Sequence, residues 1–298
     1  MRGAPTTAQD HLTTTTDGNR MTEMYSAARG GQRLPARTYL MCPPAHFTVE
    51  YVINPWMNPS VPVDADRAMS QWQGLHAVFA GLGHTVRCID PEPGLPDMVF
   101  AANGGTVIGG KVLGARFRHP QRAAEGGAYL DWFRRSGYQT VREPRSVNEG
   151  EGDIVFAETA IIAGHGFRSD PAVADEIEEL FGLPVISVRL VDPRFYHLDT
   201  ALCVLGGGAA AYFPAAFDEA GQAALAAHFT ELIEAKDSDA EVLGLNAVSD
   251  GRHVVLPEQA TGLAAQIAAA GFEPVPVDLS ELLRAGGGPK CCTLELRN

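Results

Sequence analysis

Five stretches of amphipathic, helix-type sequence recur along this chain at near-regular intervals, and that recurrence restricts the fold more than any motif does. They begin near Asp64, Gln121, Asp170, Phe217 and Gln259, roughly 40 to 57 residues apart, the range in which structural repeats occur. Capping and breaking signals frame them. Asp170-Pro171 opens the third, and Gly83, Gly137, Gly182 and Gly271 follow four of them. Between the helices lie β-type runs. Met98 to Ala115, Asp153 to Ala163, Ala201 to Phe213 and Ala247 to Pro257 each read as a hairpin. The first turns at Gly104-Gly105 or Gly109-Gly110 and the last at Asp250-Gly251. Single strands are predicted after the helices, at Thr85 to Asp90, Tyr138 to Arg142, Val185 to Val191, Glu241 to Leu245 and Pro274 to Leu279. The unit is strand, strand, helix, strand, used about five times. The fifth copy closes by pairing Thr293 to Leu296 with Tyr39 to Cys42. A closed ring of this kind turns loops from every unit toward one centre.

At 298 residues the chain suffices for one large domain or two ordinary ones, and the repeat favours a single domain over residues 37–298. Residues 1–36 are rich in Thr, Gly, Gln and Arg without periodicity, which predicts a disordered leader. The net charge of -13 argues against a nucleic-acid surface and is suited to attracting a cationic small molecule. No run approaches the roughly 18 apolar residues of a membrane span, and no apolar signal core stands at the start, so a cytoplasmic protein is expected. Cys42, Cys88, Cys203, Cys291 and Cys292 are an odd, scattered set, which fits reduced thiols. They lack zinc spacing, and neither a metal nor a cofactor is expected. The sequence is compatible with a homo-oligomer and does not fix the oligomeric state.

The chemistry concentrates in three separated segments. Gly286-Gly287-Gly288-Pro289-Lys290-Cys291-Cys292-Thr293 places a thiol on a glycine-rich loop beside a lysine, a setting that favours the thiolate. If the two cysteines lie in a strand, only one faces the site and the other packs as a small hydrophobe. Phe195-Tyr196-His197-Leu198-Asp199-Thr200 supplies an imidazole, with a carboxylate two residues on and so on the same strand face. Glu149-Gly150-Glu151-Gly152-Asp153 crowds three carboxylates among glycines, and a guanidinium is the partner that compensates such burial with matched bonds. Cysteine, histidine and carboxylate on three loops form a covalent-catalysis set. Asp97 precedes an apolar run that ends at Asn103-Gly104, and Arg122 and Arg168 are candidates for holding an anionic group.

Taken together, these segments resemble the guanidino-group-modifying enzymes, and most closely the dimethylarginine dimethylaminohydrolases and arginine dihydrolases. The resemblance runs from about residue 38 onward. It includes Met41-Cys42-Pro43-Pro44, Tyr51 to Met57, Asp97 to Gly104, the acidic loop, His197 to Thr200 and the cysteine loop. It implies an α/β propeller with pseudo-fivefold ββαβ units. It implies Cys291 as nucleophile and His197 as acid/base. The family's catalytic acid aligns to Glu149, with Glu151 as the alternative, because E-G-E-G-D is one residue longer than the E-G-G-D common among relatives. Asp97 and Asp199 match guanidinium-binding carboxylates, and Arg122 and Arg168 match arginines that grip a substrate carboxylate. Asn54 falls in a matching segment and joins the substrate-binding set. Asn103 stands where many dimethylargininases carry a second carboxylate, which is similar to the arginine dihydrolases. The implied activity is metal-free hydrolysis of arginine or an N-methylated arginine, dimethylargininase-like first and dihydrolase or deiminase second. An amidinotransferase and a non-catalytic binding propeller are the remaining alternatives.

Overall fold

The structure, a computed structural model, describes residues 35–298. Of the leader expected over residues 1–36, positions 1–34 lie outside the described residues. The described chain forms a mixed α/β fold containing five three-stranded sheets. Strands β1 (Thr38–Met41) and β2 (Thr85–Cys88) flank helix α1 (Ala65–Gly81). Next come β3 (Gly105–Ile108), β4 (Lys111–Gly114), helix α2 (Ala123–Arg135) and β5 (Thr140–Arg142). The third group is β6 (Ile154–Ala157), β7 (Ala160–His165), α3 (Val173–Phe181) and β8 (Val185–Arg189). The fourth is β9 (Leu202–Gly206), β10 (Ala209–Tyr212), α4 (Glu219–His228) and β11 (Glu231–Glu234). The fifth is β12 (Val248–Ser249), β13 (His253–Pro257), α5 (Thr261–Ala269) and β14 (Glu273–Val277), and β15 (Leu294–Glu295) follows.

Connectivity within the sheets is constant. An antiparallel hairpin is followed by a helix, which returns the chain as a parallel third strand: β3-β4-β5, β6-β7-β8, β9-β10-β11 and β12-β13-β14. A parallel neighbour requires such a crossover, whereas an antiparallel one needs only a tight turn. In the remaining sheet the hairpin partner comes from the far end of the sequence, as expected: β15 pairs antiparallel with β1, matching Tyr39 to Glu295 and Leu40 to Leu294. Several first strands lie against the first strand of a neighbouring unit. Val107 of β3 bridges to Leu296 just beyond β15, and β9 packs beside both β6 and β12.

The helices begin within a few residues of the expected positions. Asp64 caps α1 by accepting from the Arg67 N–H at 3.0 Å, and Asp218 caps α4 through the Gly221 N–H at 2.8 Å. α1 buries Ala68, Trp72, Leu75 and Phe79, the alternating spacing of four and three that makes a single apolar stripe. Between sheets and helices lie four apolar clusters, the largest centred on the alanine-rich β10 and its neighbours. Among the described residues, no helix is long and apolar enough to cross a membrane.

Three expectations need correction. The strand predicted at Glu241 to Leu245 is instead β11, ten residues earlier, and a short helix at Asp237–Ala240 leads into a turn where Leu243 and Leu245 are wholly buried. The apolar Val242-Leu243-Gly244-Leu245 reads as strand because packing against a core and pairing in a ladder both select apolar residues. The hairpin expected from Met98 starts at Gly105 and turns at Gly109-Gly110, both at positive φ. Its first part is two 3₁₀ turns, Pro96–Val99 and Ala101–Gly104, so Asp97 and Asn103 do not share a strand. Likewise Leu198–Thr200 is a 3₁₀ turn and not the start of β9, so strand alternation does not relate His197 to Asp199.

Candidate active site

Every unit enters its first strand through a short irregular segment. Those ahead of β3, β6, β9, β12 and β15 run over residues 97–104, 149–153, 197–201, 246–247 and 288–293, and they bring the sequence-selected polar residues together. Close packing between segments explains the glycines. A Cβ on Gly152 would run into Asn103 Nδ2 and lie 3.2 Å from the His197 ring, and one on Gly287 would overlap the Phe100 ring. Backbone bonds tie the segments as well: Ala102 donates its N–H to the Cys291 carbonyl at 3.0 Å.

His197 Nε2 lies 2.8 Å from Glu149 Oε2, and Arg168 donates to the same oxygen at 2.7 Å. The other oxygen accepts the Arg118 backbone N–H at 3.2 Å. All three side chains are at most 2% exposed. Burial alone would push the Glu149 carboxyl up. The Arg168 guanidinium and the bond to His197 more than offset it and hold Glu149 well below the usual carboxylate range. An ionised Glu149 fixes the imidazole tautomer, with the proton on Nε2 and the lone pair on Nδ1. His197 Nδ1 is buried and has no hydrogen-bond partner among the described residues.

Glu151, the alternative acid, points elsewhere. It pairs with Lys290 at 2.8 Å and with Arg297, and accepts the Glu295 N–H at 3.1 Å. The positive charge of Lys290 is therefore engaged with Glu151 and not with the thiol. Asp153 accepts from Ser169 Oγ at 2.6 Å and from the Leu198 N–H at 3.0 Å, which anchors the histidine turn to the acidic loop.

Cys291 Sγ faces Asp199 Oδ2 at 3.3 Å and receives the Asn246 amide at 3.0 Å. Cys292 is wholly buried and packs in an apolar cluster with Val99, Phe100 and Leu282. Both cysteines lie in a turn ahead of β15, so strand alternation is not what separates them. Burial pushes the Cys291 thiol well above its ordinary value, and Asp199 and Cys292 push it further. Asp199 itself is raised to about 6 by burial, against the opposing pull of His197 and Lys290. The thiol is therefore protonated at neutral pH in the free protein. Inactivation by iodoacetamide should be slow at pH 7 and climb about tenfold per pH unit through pH 9, without the low-pH plateau of an ion-paired thiolate. Peptide mapping at each pH, which separates Cys291 from the exposed Cys88, checks this.

Asp97 accepts from the Tyr51 hydroxyl at 2.8 Å, and its other carboxylate oxygen is buried without a hydrogen-bond partner among the described residues. Arg122 is buried beside it. It forks onto Glu125 at 3.0 and 2.7 Å, reaches Asn103 Oδ1 at 2.9 Å and caps the Asp97 carbonyl at 3.2 Å. Asn103 in turn donates to the Glu149 carbonyl at 3.2 Å. Arg168, besides Glu149, donates to the Ile53 carbonyl at 2.9 Å and lies over the Tyr196 ring. Asn54 does not join these contacts. Its amide is bonded to the Ala285 carbonyl at 3.0 Å and the Trp56 N–H at 2.9 Å, which pins the approach to the glycine-rich loop.

Sequence reasoning missed Asn246, Glu125, Tyr51 and Ser169. Asn246 had one usable signal, its place immediately ahead of the first strand of a repeat. Tyr51 opens the matching Tyr51 to Met57 stretch, whereas Glu125 and Ser169 have no signal, since a lone Glu on a helix or Ser on a loop marks no site.

The profile of the family described as N,N dimethylarginine dimethylhydrolase, eukaryotic, matches residues 44–298. The N(G),N(G)-dimethylarginine dimethylaminohydrolase of Mycobacterium tuberculosis is 53% identical over 93% of this chain and 93% of its own length. The product-bound N-terminal domain of ArgZ, an arginine dihydrolase from cyanobacteria, superposes with a TM-score of 0.85 at 36% identity, over 89% of this chain and 98% of that one. A variant of the same domain covalently bound to a reaction intermediate superposes with a TM-score of 0.84 at 36% identity, over 88% and 98% of the two chains.

Proposed function

This chain belongs to the N,N-dimethylarginine dimethylhydrolase family, and from that premise we propose that it hydrolyses the guanidino group of a methylated arginine at the cluster around Cys291. The chain is a hydrolytic enzyme acting on guanidino groups. The observation that carries the site assignment is that, of the buried polar atoms without a hydrogen-bond partner among the described residues, three lie in these segments: Asp97 Oδ1, Asp199 Oδ1 and His197 Nδ1. Buried polar atoms are almost always bonded, so an unpaired group of acceptors beside a thiol suits a ligand that brings several N–H donors. A guanidinium brings up to five in one plane.

The contacts support the following roles. Asp97 and Asp199 bind the planar cation, whose charge also favours the Cys291 thiolate. As substrate binds, the thiol proton passes to His197 Nδ1, and the thiolate attacks the central carbon and gives a tetrahedral adduct. His197, protonated, donates from Nδ1 to the departing amine as the C–N bond breaks, leaving a thiouronium. Water then adds to that carbon with its proton passing to Nδ1, and cleavage of the C–S bond frees a ureido product and the thiol. Glu149 holds the ring and stabilises its protonated form. Arg122 and Arg168 stand beside Asn103 and Tyr196 and are paired with Glu125 and Glu149; a substrate carboxylate would bind them by sharing those pairs. Residues 37–298 act as one domain in this proposal, with the five sheets as blades of an α/β propeller around the cluster and a cytoplasmic location.

Asn103 favours a second reading. Its amide is fixed between Arg122 and the Glu149 carbonyl, so a neutral donor stands where a second carboxylate would grip a cation. A neutral donor suits a ureido oxygen, and a retained citrulline would be hydrolysed again to ornithine. Incubation with arginine, asymmetric dimethylarginine and citrulline, followed by mass spectrometry, separates the readings. Dimethylamine and citrulline from the methylated substrate are expected. Ornithine and ammonia from arginine would assign a dihydrolase, and no product from any of the three would overturn both.

A further inference from the structure

We propose that Asn246 is a working member of this site: its side chain clamps the cysteine loop and donates the N–H that stabilises negative charge on Cys291 Sγ. Asn246 is wholly buried. Its Oδ1 accepts the N–H groups of Gly288 at 2.9 Å and Cys291 at 3.0 Å. Its Nδ2 donates to the Asp199 carbonyl at 3.2 Å and to Cys291 Sγ at 3.0 Å. Each of these partners lies in the cysteine loop or in the turn that carries Asp199. The network also fixes which way the amide faces. A flipped amide would set its NH₂ against two backbone N–H groups and its oxygen against a carbonyl. An N–H directed at sulfur is therefore dictated by the surroundings.

The position is consistent with the rest of the fold. Four of the five segments that lead into first strands supply Asp97 and Asn103, Glu149, His197 and Asp199, and Cys291. The fifth supplies Asn246. Around the thiol stand Asp199, Cys292 and Tyr196, none of which favours a negative sulfur. The backbone of Gly288 and the Asn246 amide act the other way. A hydrogen bond to an ionised acceptor is roughly twice as strong as one to a neutral group. The amide thus acts on the thiolate more than on the thiol and lowers the barrier to attack in addition to shaping the loop.

The inference rests on Cys291 being the nucleophile, yet its test needs no substrate. Asn246→Asp preserves shape and an acceptor for Gly288 and Cys291, while setting a carboxylate oxygen against the sulfur. The pH profile of Cys291 alkylation by iodoacetamide should move to higher pH by about one unit or more, slowing alkylation about tenfold at fixed pH. Turnover should fall roughly 10²- to 10³-fold with KM changed only a few-fold, the pattern for loss of one donor to developing charge. An alkylation profile superimposable on that of the parent protein overturns the proposal, whatever happens to turnover. Should the variant not fold, the parent protein decides. The side-chain amide protons of Asn246, followed by NMR, should shift with the midpoint of Cys291 alkylation and lose that shift in Cys291→Ala. Amide protons that stay still while the thiol titrates overturn the proposal. Failure of the product assay with an intact alkylation shift would instead indict the assigned reaction.

Discussion

Cys291→Ala is expected to abolish turnover, by roughly 10⁵-fold or to background, while leaving the protein folded. No other described thiol replaces it. Cys292 points into an apolar cluster, Cys203 bonds to the Ala247 carbonyl at 3.4 Å, and burial raises both. The structural cost is small. The variant deletes one sulfur from a residue whose carbonyl accepts the Ala102 N–H and whose N–H donates to the Asn246 side chain, so stability should change by about 1 kcal/mol. Steady-state assays with thermal unfolding on the same preparation check both halves. A folded variant retaining a tenth of the parent activity would remove Cys291 from its assigned role. A variant that precipitates would show that the Asn246 clamp depends on the sulfur.

Glu149→Gln should damage activity and stability together. The carboxylate orients His197 and balances Arg168, and all three are buried. With a neutral amide there, Arg168 remains as a buried cation without its counter-charge, a loss of about 3 kcal/mol or more. Turnover should fall roughly 10²- to 10⁴-fold, the usual contribution of a positioned acid/base system. The pH dependence gives a sharper test. The folded Glu149 carboxyl lies well below its unfolded value of about 4.3. Its stabilisation is complete above the unfolded value and is lost as pH falls through the folded one. The stability gap between parent and variant should therefore be full at pH 7 and shrink progressively below about pH 5. A gap unchanged between pH 7 and pH 3 in urea titrations would show that the folded protein does not hold the Glu149 carboxyl below its unfolded value.

Much of this architecture was legible in the residues because repeat spacing, caps and turn glycines act locally. Asp64, Asp218 and Gly109-Gly110 do their work within four residues of themselves, so the helices and hairpins they bound were readable. β11 was not, because Glu231-Leu232-Ile233-Glu234 carries too little pattern in four residues to compete with the apolar Val242 to Leu245. The site divides along the same line. Cys291, His197 and Glu149 sit in segments dense in glycine and charge, and so stand out. Arg122 was readable only as an anion-binding candidate. That it forks onto Glu125 and braces Asn103 depends on a helix and a loop meeting in space. Asn246 lies among Gly244, Leu245, Ala247 and Val248 and gains its meaning from a loop 45 residues away, a distance at which sequence pattern is silent.

The pairing of β15 with β1 has a temporal consequence. Arg37 and Glu295 meet across 258 residues of chain, and contacts of such sequence separation are among the slowest to form. Cys291 precedes β15 by only a few positions, so its sulfur reaches Asp199 and Asn246 only once the two ends have met. Until that pairing forms, Cys291 is an ordinary cysteine on an unanchored segment. Alignment of the thiol with its neighbours then depends on one of the longest-range pairings in the fold, and a copy in which β1 and β15 are unpaired lacks it.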